Sequence, residues 1–189
     1  MVEKLDKKDG VVILTYYWPP CGGSGVQRWM YFSKYLKELG WDPFVITVDE
    51  KKASYPVLDK SLEMVVKDIK VKKTSTNEPL KLFSFLTTGD FRKGIPQGDV
   101  KNKGLFDKLF NYIRSNYFIP DARKGWVDYA YGECKKIITK NNIKHLITTG
   151  PPHSTHLIGL KIKEEFEIKW TVDFRDPWVS VFYNKKFLF

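Results

Sequence analysis

VVILTYYWPPCGGSGVQRW, residues 11–29, decides how the chain is read. The apolar run Val11–Tyr17 lacks polar alternation, the pattern of a strand buried on both faces of a parallel sheet. Pro19 and Pro20 make a rigid corner, and Gly22, Gly23 and Gly25 follow almost without interruption. Val26, Trp29, Met30, Phe32, Leu36 and Leu39 then recur near helical spacing, with Gly40 as a stop. A second buried strand, FVITV at 44–48, completes one strand–helix–strand unit of right-handed crossover length. The glycines either satisfy a tight turn or admit a ligand close to the backbone. Free N–H groups and the dipole at such a helix start favour an anion. The dinucleotide fingerprint fails, because Arg28 stands where its third glycine belongs, and the phosphate-loop motif is absent.

The alternation resumes later. HLITT (145–149) reads as a strand, GPPHS as its exit and Thr155–Phe166 as a helix; WTVDF (170–174) is a strand leaving through RDPW. Val127–Asn141 reads as a helix, Leu105–Tyr117 as another, and Ile69–Val71 as a short strand. FIPDARKGW (118–126) is a loop, and residues 74–104 form an irregular insertion. Strands alternating with helices predict an α/β fold: a Rossmann-like, mostly parallel sheet with helices on both faces, in one domain over residues 1–189.

The 189 residues suffice for a sizeable core, and 42% hydrophobic with 15% aromatic content argues against disorder. A net charge of +10 implies an anionic partner or a well-solvated surface. The charge is carried by 27 lysines against 5 arginines, so Arg28, Arg123 and Arg175 stand out as candidates for bidentate work on carboxylate or phosphate. Cys21 and Cys134 are too few and too far apart for a disulfide framework or a cysteine-rich metal site. No stretch reaches membrane-span length and no signal-peptide pattern is present, so the expected location is cytoplasmic, with peripheral contact on the inner face of the membrane. Such contact would involve Lys81, Arg92, Lys93, Lys101, Lys103 and Lys108 beside Phe83, Phe85 and Leu86. No nucleic-acid-binding signature appears.

Parallel strands deliver their exits to one sheet edge, where ligands bind when the strand order reverses. Three exits carry unusual chemistry. The first holds Gly22, Gly23 and Arg28. At the second, His153 either bonds a ligand oxygen, acts as a base or caps the next helix, while His156 lacks the third ligand a metal would need. At the third, Asp173, Arg175 and Asp176 form either a site wall or an ion-pair brace. Trp18, Trp126 and Trp178 either stack on a sugar ring or fill core and rim, and Cys21 has no neighbouring base to make it a nucleophile.

PPCGGSGVQRW, TTGPPHSTHLIGL and KWTVDFRDPW, in this order, resemble the N-terminal half of bacterial family 4 glycosyltransferases, retaining enzymes of the GT-B fold. The resemblance implies an acceptor-side N-terminal domain facing a donor-binding C-terminal domain, which is absent from these residues. It implies a nucleotide-sugar donor, a glycan or glycolipid acceptor in surface-polysaccharide synthesis, and no metal or other cofactor. Gly22 and Gly23 would lie near the donor phosphates with Arg28 in reach. His153 would stand near the transferred sugar, Arg175 and Asp176 on the cleft wall, and the three tryptophans toward the acceptor. The chain alone is then expected to be inactive. The competing reading is a non-catalytic binding module for anionic lipid or glycan.

Overall fold

A computed structural model describes residues 9–53, 55, 57–78 and 119–177. Five parallel strands form one sheet: β1 (Gly10–Leu14), β2 (Asp42–Val48), β3 (Lys70–Thr74), β4 (His145–Gly150) and β5 (Lys169–Phe174). Their order is β3-β2-β1-β4-β5, so the order reverses between β1 and β4. Helix α1 (Ser24–Glu38) joins β1 to β2, α2 (Val127–Asn141) precedes β4, and α3 (Ser154–Glu165) joins β4 to β5. The α/β, Rossmann-like parallel sheet expected from the alternation is therefore present.

The side-chain alternation of β1 explains the layers. Val11 and Ile13 join Trp29 and Met30 of α1 in one core, while Val12 and Leu14 join Ala130, Cys134, Ile138, Ile158 and Ile162 of α2 and α3 in the other. A strand covered on both sides has no polar face to offer, hence its continuous apolar sequence. On the second face Gly159 is required by packing: a Cβ there would lie 2.4 Å from the Trp170 indole.

The boundaries differ where side-chain chemistry overrides pattern. β1 stops at Leu14 rather than Tyr17, because the Thr15 hydroxyl donates to the Tyr17 carbonyl at 3.0 Å and the Tyr16 hydroxyl turns to Glu78. β3 begins one residue late and runs to Thr74; its lysine-rich sequence is that of an edge strand. A 3₁₀ turn at Lys60–Val66, started by Asp59 accepting from the Ser61 amide at 3.0 Å, was not legible from periodicity. The expected helix Leu105–Tyr117, residues 79–104 of the insertion, the basic residues between Lys81 and Lys108, and Trp178 lie outside the described residues. Among the described residues no helix is long and apolar enough to cross a membrane.

Candidate functional site

The three exits meet, and Arg175 is the piece that joins them. From the end of β5 its Nη1 donates to the Gly25 carbonyl at 2.6 Å, Nε to Gly150 at 2.9 Å and Nη2 to Pro151 at 3.3 Å. One planar fork thus spans the start of α1 and the exit of β4, at the point where strand order reverses. Burial pulls its pKa down, with Asp173 and Asp176 opposing. It nonetheless stays charged at any working pH.

The glycines of the first exit have three different causes. Gly25 is small because a Cβ would lie 2.9 Å from Arg175 Nη1. Gly22 is buried, its N–H donates to the Val57 carbonyl at 3.0 Å, and a Cβ would meet Val57 and Asp59 at 3.2 Å. Gly22 therefore corrects the expectation of a phosphate contact: the chain's own 57–59 segment occupies that approach. Gly23 is exposed with φ 100° and ψ 161°, a region only glycine tolerates, and nothing lies within 4 Å of where its Cβ would be. It caps α1 without a side-chain hydrogen bond, and the first turn of α1 holds no acidic residue. Neighbouring Cys21 is buried, which pushes its thiol up to about 12, so it is no nucleophile.

Arg28, one turn into α1, pairs with Asp173 at 3.0 Å while its side chain remains 48% exposed. The other Asp173 oxygen accepts from Trp29 Nε1 at 2.7 Å and from the Thr149 hydroxyl at 2.9 Å. Asp173 thus fastens α1 and β4 to β5, the brace that the sequence left as one of two readings. Asp176, at the same exit, is exposed.

At the second exit the histidines divide. His156, 4% exposed, shares a hydrogen with Thr148 Oγ1 at 2.9 Å, and Thr148 Oγ1 accepts from Trp170 Nε1 at 2.9 Å. Which of the two donates in the Thr148–His156 bond depends on the imidazole tautomer. Burial, reinforced by His153, lowers the His156 pKa to about 4, so the ring is neutral at pH 7. His153 is half-buried; burial lowers its pKa, opposed by Asp121 and Asp176. A Cβ on Gly150 would lie 2.7 Å from His156 Nε2 and 2.9 Å from His153 Nδ1, so this glycine is small because two imidazoles converge on it.

His153 holds the N-cap position of α3 but makes no side-chain cap. That task falls to Asp121, in the 118–126 loop: Oδ2 accepts from the Ser154 amide at 2.7 Å and Oδ1 from the Ser154 hydroxyl at 2.9 Å. Two residues on, Arg123 pairs with Glu78 at 2.9 Å, their side chains 11% and 2% exposed, and the Tyr16 hydroxyl donates to the same carboxylate. Asp121 and Glu78 escaped the sequence reading, because nothing local marks a cap supplied 33 residues upstream. The scarcity of arginine was the one available signal, and it pointed to Arg123.

Trp18 and Trp126 require correction as stacking surfaces. They are 1% and 0% exposed, and Trp126 donates Nε1 to Thr74 at 2.7 Å while its ring meets Tyr16 edge-on at 5.4 Å. Both are core, which leaves no ring face for a sugar. Among the described residues no group of three or more His, Cys, Asp or Glu could hold a metal.

No protein-family model matches the chain, and no curated protein matches it. A solved structure, a glycosyltransferase from Rickettsia africae ESF-5, is similar at 16% identity and a TM-score of 0.45, over 88% of this chain and 30% of that one. The chain therefore spans less than a third of the solved protein's length, and a likeness at this level bears on no residue or activity here.

Proposed function

We propose that the chain is the N-terminal, acceptor-side half of a GT-B glycosyltransferase that moves a sugar from a nucleotide-sugar donor to a glycan or glycolipid acceptor. The observation that carries this reading is the start of α1. Of the three α-helices described, α2 has Asp128 in its first turn and α3 receives Asp121, whereas α1 has neither acid nor side-chain cap. It also opens at the reversal of strand order, beside Arg28 and Arg175. An uncapped helix N-terminus flanked by two guanidiniums suits a diphosphate. In this reading Gly23 and Ser24 face the donor phosphates, Arg28 leaves Asp173 to meet them, and His153 with Asp176 faces the sugar. The resemblance of the three exits to family 4 supplies the retaining chemistry and the absence of a metal requirement.

The test follows backbone amide resonances of the 189-residue chain during titration with uridine diphosphate and with inorganic pyrophosphate. Saturable shifts centred on Gly23, Ser24 and Gly25 are expected with both. Shifts spread diffusely over the lysines, with none at the α1 start, would refute the reading and leave a non-specific anion-binding module.

A further inference from the structure

The 118–126 loop reaches the site at a point that the donor reading does not use. Asp121 satisfies the amide of Ser154, at the start of α3, from outside the helix, and its Oδ1 also accepts from the Arg123 amide at 2.8 Å. Arg123 in turn is locked to Glu78 beneath the exit of β1. The carboxylate is therefore held from both sides, and the residue it holds, Ser154, directly follows His153. A negative charge at a helix N-terminus is stabilised by the dipole, so this seat suits a carboxylate.

We propose that Asp121 is a positioning residue for His153: it fixes the first turn of α3 from which the imidazole projects and sets a carboxylate beside that ring. The proposal rests on the reading that His153 belongs to the site, but its test does not. Among the described residues, the charged and titratable groups around His153 include Asp121 from the loop, Asp176 and Arg175 from the exit of β5, and His156 from α3. Of the two carboxylates, Asp176 is exposed, whereas Asp121 is fixed by three hydrogen bonds, so Asp121 is the one held in a set direction. Chemically, a carboxylate there favours the imidazolium and opposes the desolvation that disfavours it. The carboxylate thereby limits how far burial depresses the His153 pKa.

The test is a proton NMR titration of the histidine rings in the intact 189-residue chain. Asp121→Asn should lower the His153 midpoint by several tenths of a unit and Asp121→Glu should restore most of it. Ser154→Ala, which removes one cap bond but keeps the charge, should leave it in place. An unchanged midpoint in Asp121→Asn, or an equal shift in Ser154→Ala, overturns the proposal. Should Asp121→Asn fail to fold, the wild-type chain decides alone: the Ser154 amide and the His153 ring must both move as Asp121 is protonated, and a His153 ring blind to that event overturns it. Failure here with intact diphosphate shifts at α1 would remove Asp121 and spare the donor reading; the reverse pattern would do the opposite.

Discussion

Gly25→Val tests whether Arg175 is the reason for the third glycine of the first exit. A Cβ placed 2.9 Å from Nη1 must reach ordinary contact at 3.4 Å, a retreat of about 0.5 Å by the end of a flexible side chain. That retreat carries the 2.6 Å bond to Gly25 only to about 3.1 Å, still a hydrogen bond. Alanine should therefore be near neutral, its better helix propensity offsetting the strain. Valine adds branches about 1.5 Å further out, and the bond must break. Losing a charge-assisted bond costs about 1.5 to 3 kcal/mol, slightly relieved by replacing a helical glycine. At roughly 2 to 4 °C per kcal/mol for a chain of this length, the melting midpoint should fall by about 3 to 12 °C before that relief. The decisive arm repeats Gly25→Val in an Arg175→Ala background, where the penalty should shrink below about 0.5 kcal/mol. Thermal and urea denaturation measure all four corners of the cycle. Equal penalties in both backgrounds would show that the glycine answers to something other than Arg175.

Two further outcomes follow from the same region. Gly23→Ala should destabilise by about 1 to 3 kcal/mol although its Cβ meets open space, because φ 100° with ψ 161° is closed to L side chains; urea melts giving an unchanged midpoint would contradict the backbone assignment. His156, held near pKa 4 when folded against about 6.5 when unfolded, binds its proton first in the unfolded chain. Stability should thus fall as pH drops from about 6.5 toward 4 and level off below, by an amount of order 3 kcal/mol, and His156→Gln should flatten that window in urea melts.

The fold was legible because its three central strands, β1, β2 and β4, are mostly buried and its helices run at full amphipathic length. Val127–Asn141 was read to the residue, and β4 and β5 to within one. Legibility failed where tertiary bonds act. Tyr16, after Leu14, looks like strand and is apolar enough for it, but its hydroxyl is committed to Glu78 and its carbonyl to Thr47 and Tyr55. The site divides the same way. Its convergence at one edge follows from parallel topology and was foreseen, whereas the division of labour within it was not. Sequence cannot tell a glycine made small by a ligand from one made small by Val57, or a tryptophan at a rim from one in a core. Asp121 was invisible because a helix cap normally comes from the residue beside it.

The braces of the site have an uncommon span along the chain. Arg175 reaches Gly25 across 150 residues, Arg28 reaches Asp173 across 145 and Trp29 reaches Asp173 across 144. During synthesis at about 5 to 20 residues per second, the glycine-rich exit is made roughly 8 to 30 seconds before its guanidinium partner exists. The β1–α1–β2 unit can pair in that interval from local contacts alone, but the start of α1 stays unclamped. The edge where ligands are proposed to bind is therefore assembled only once β5 and its exit have been made. A nascent chain halted before β5 would carry a formed crossover and an open, unfinished mouth.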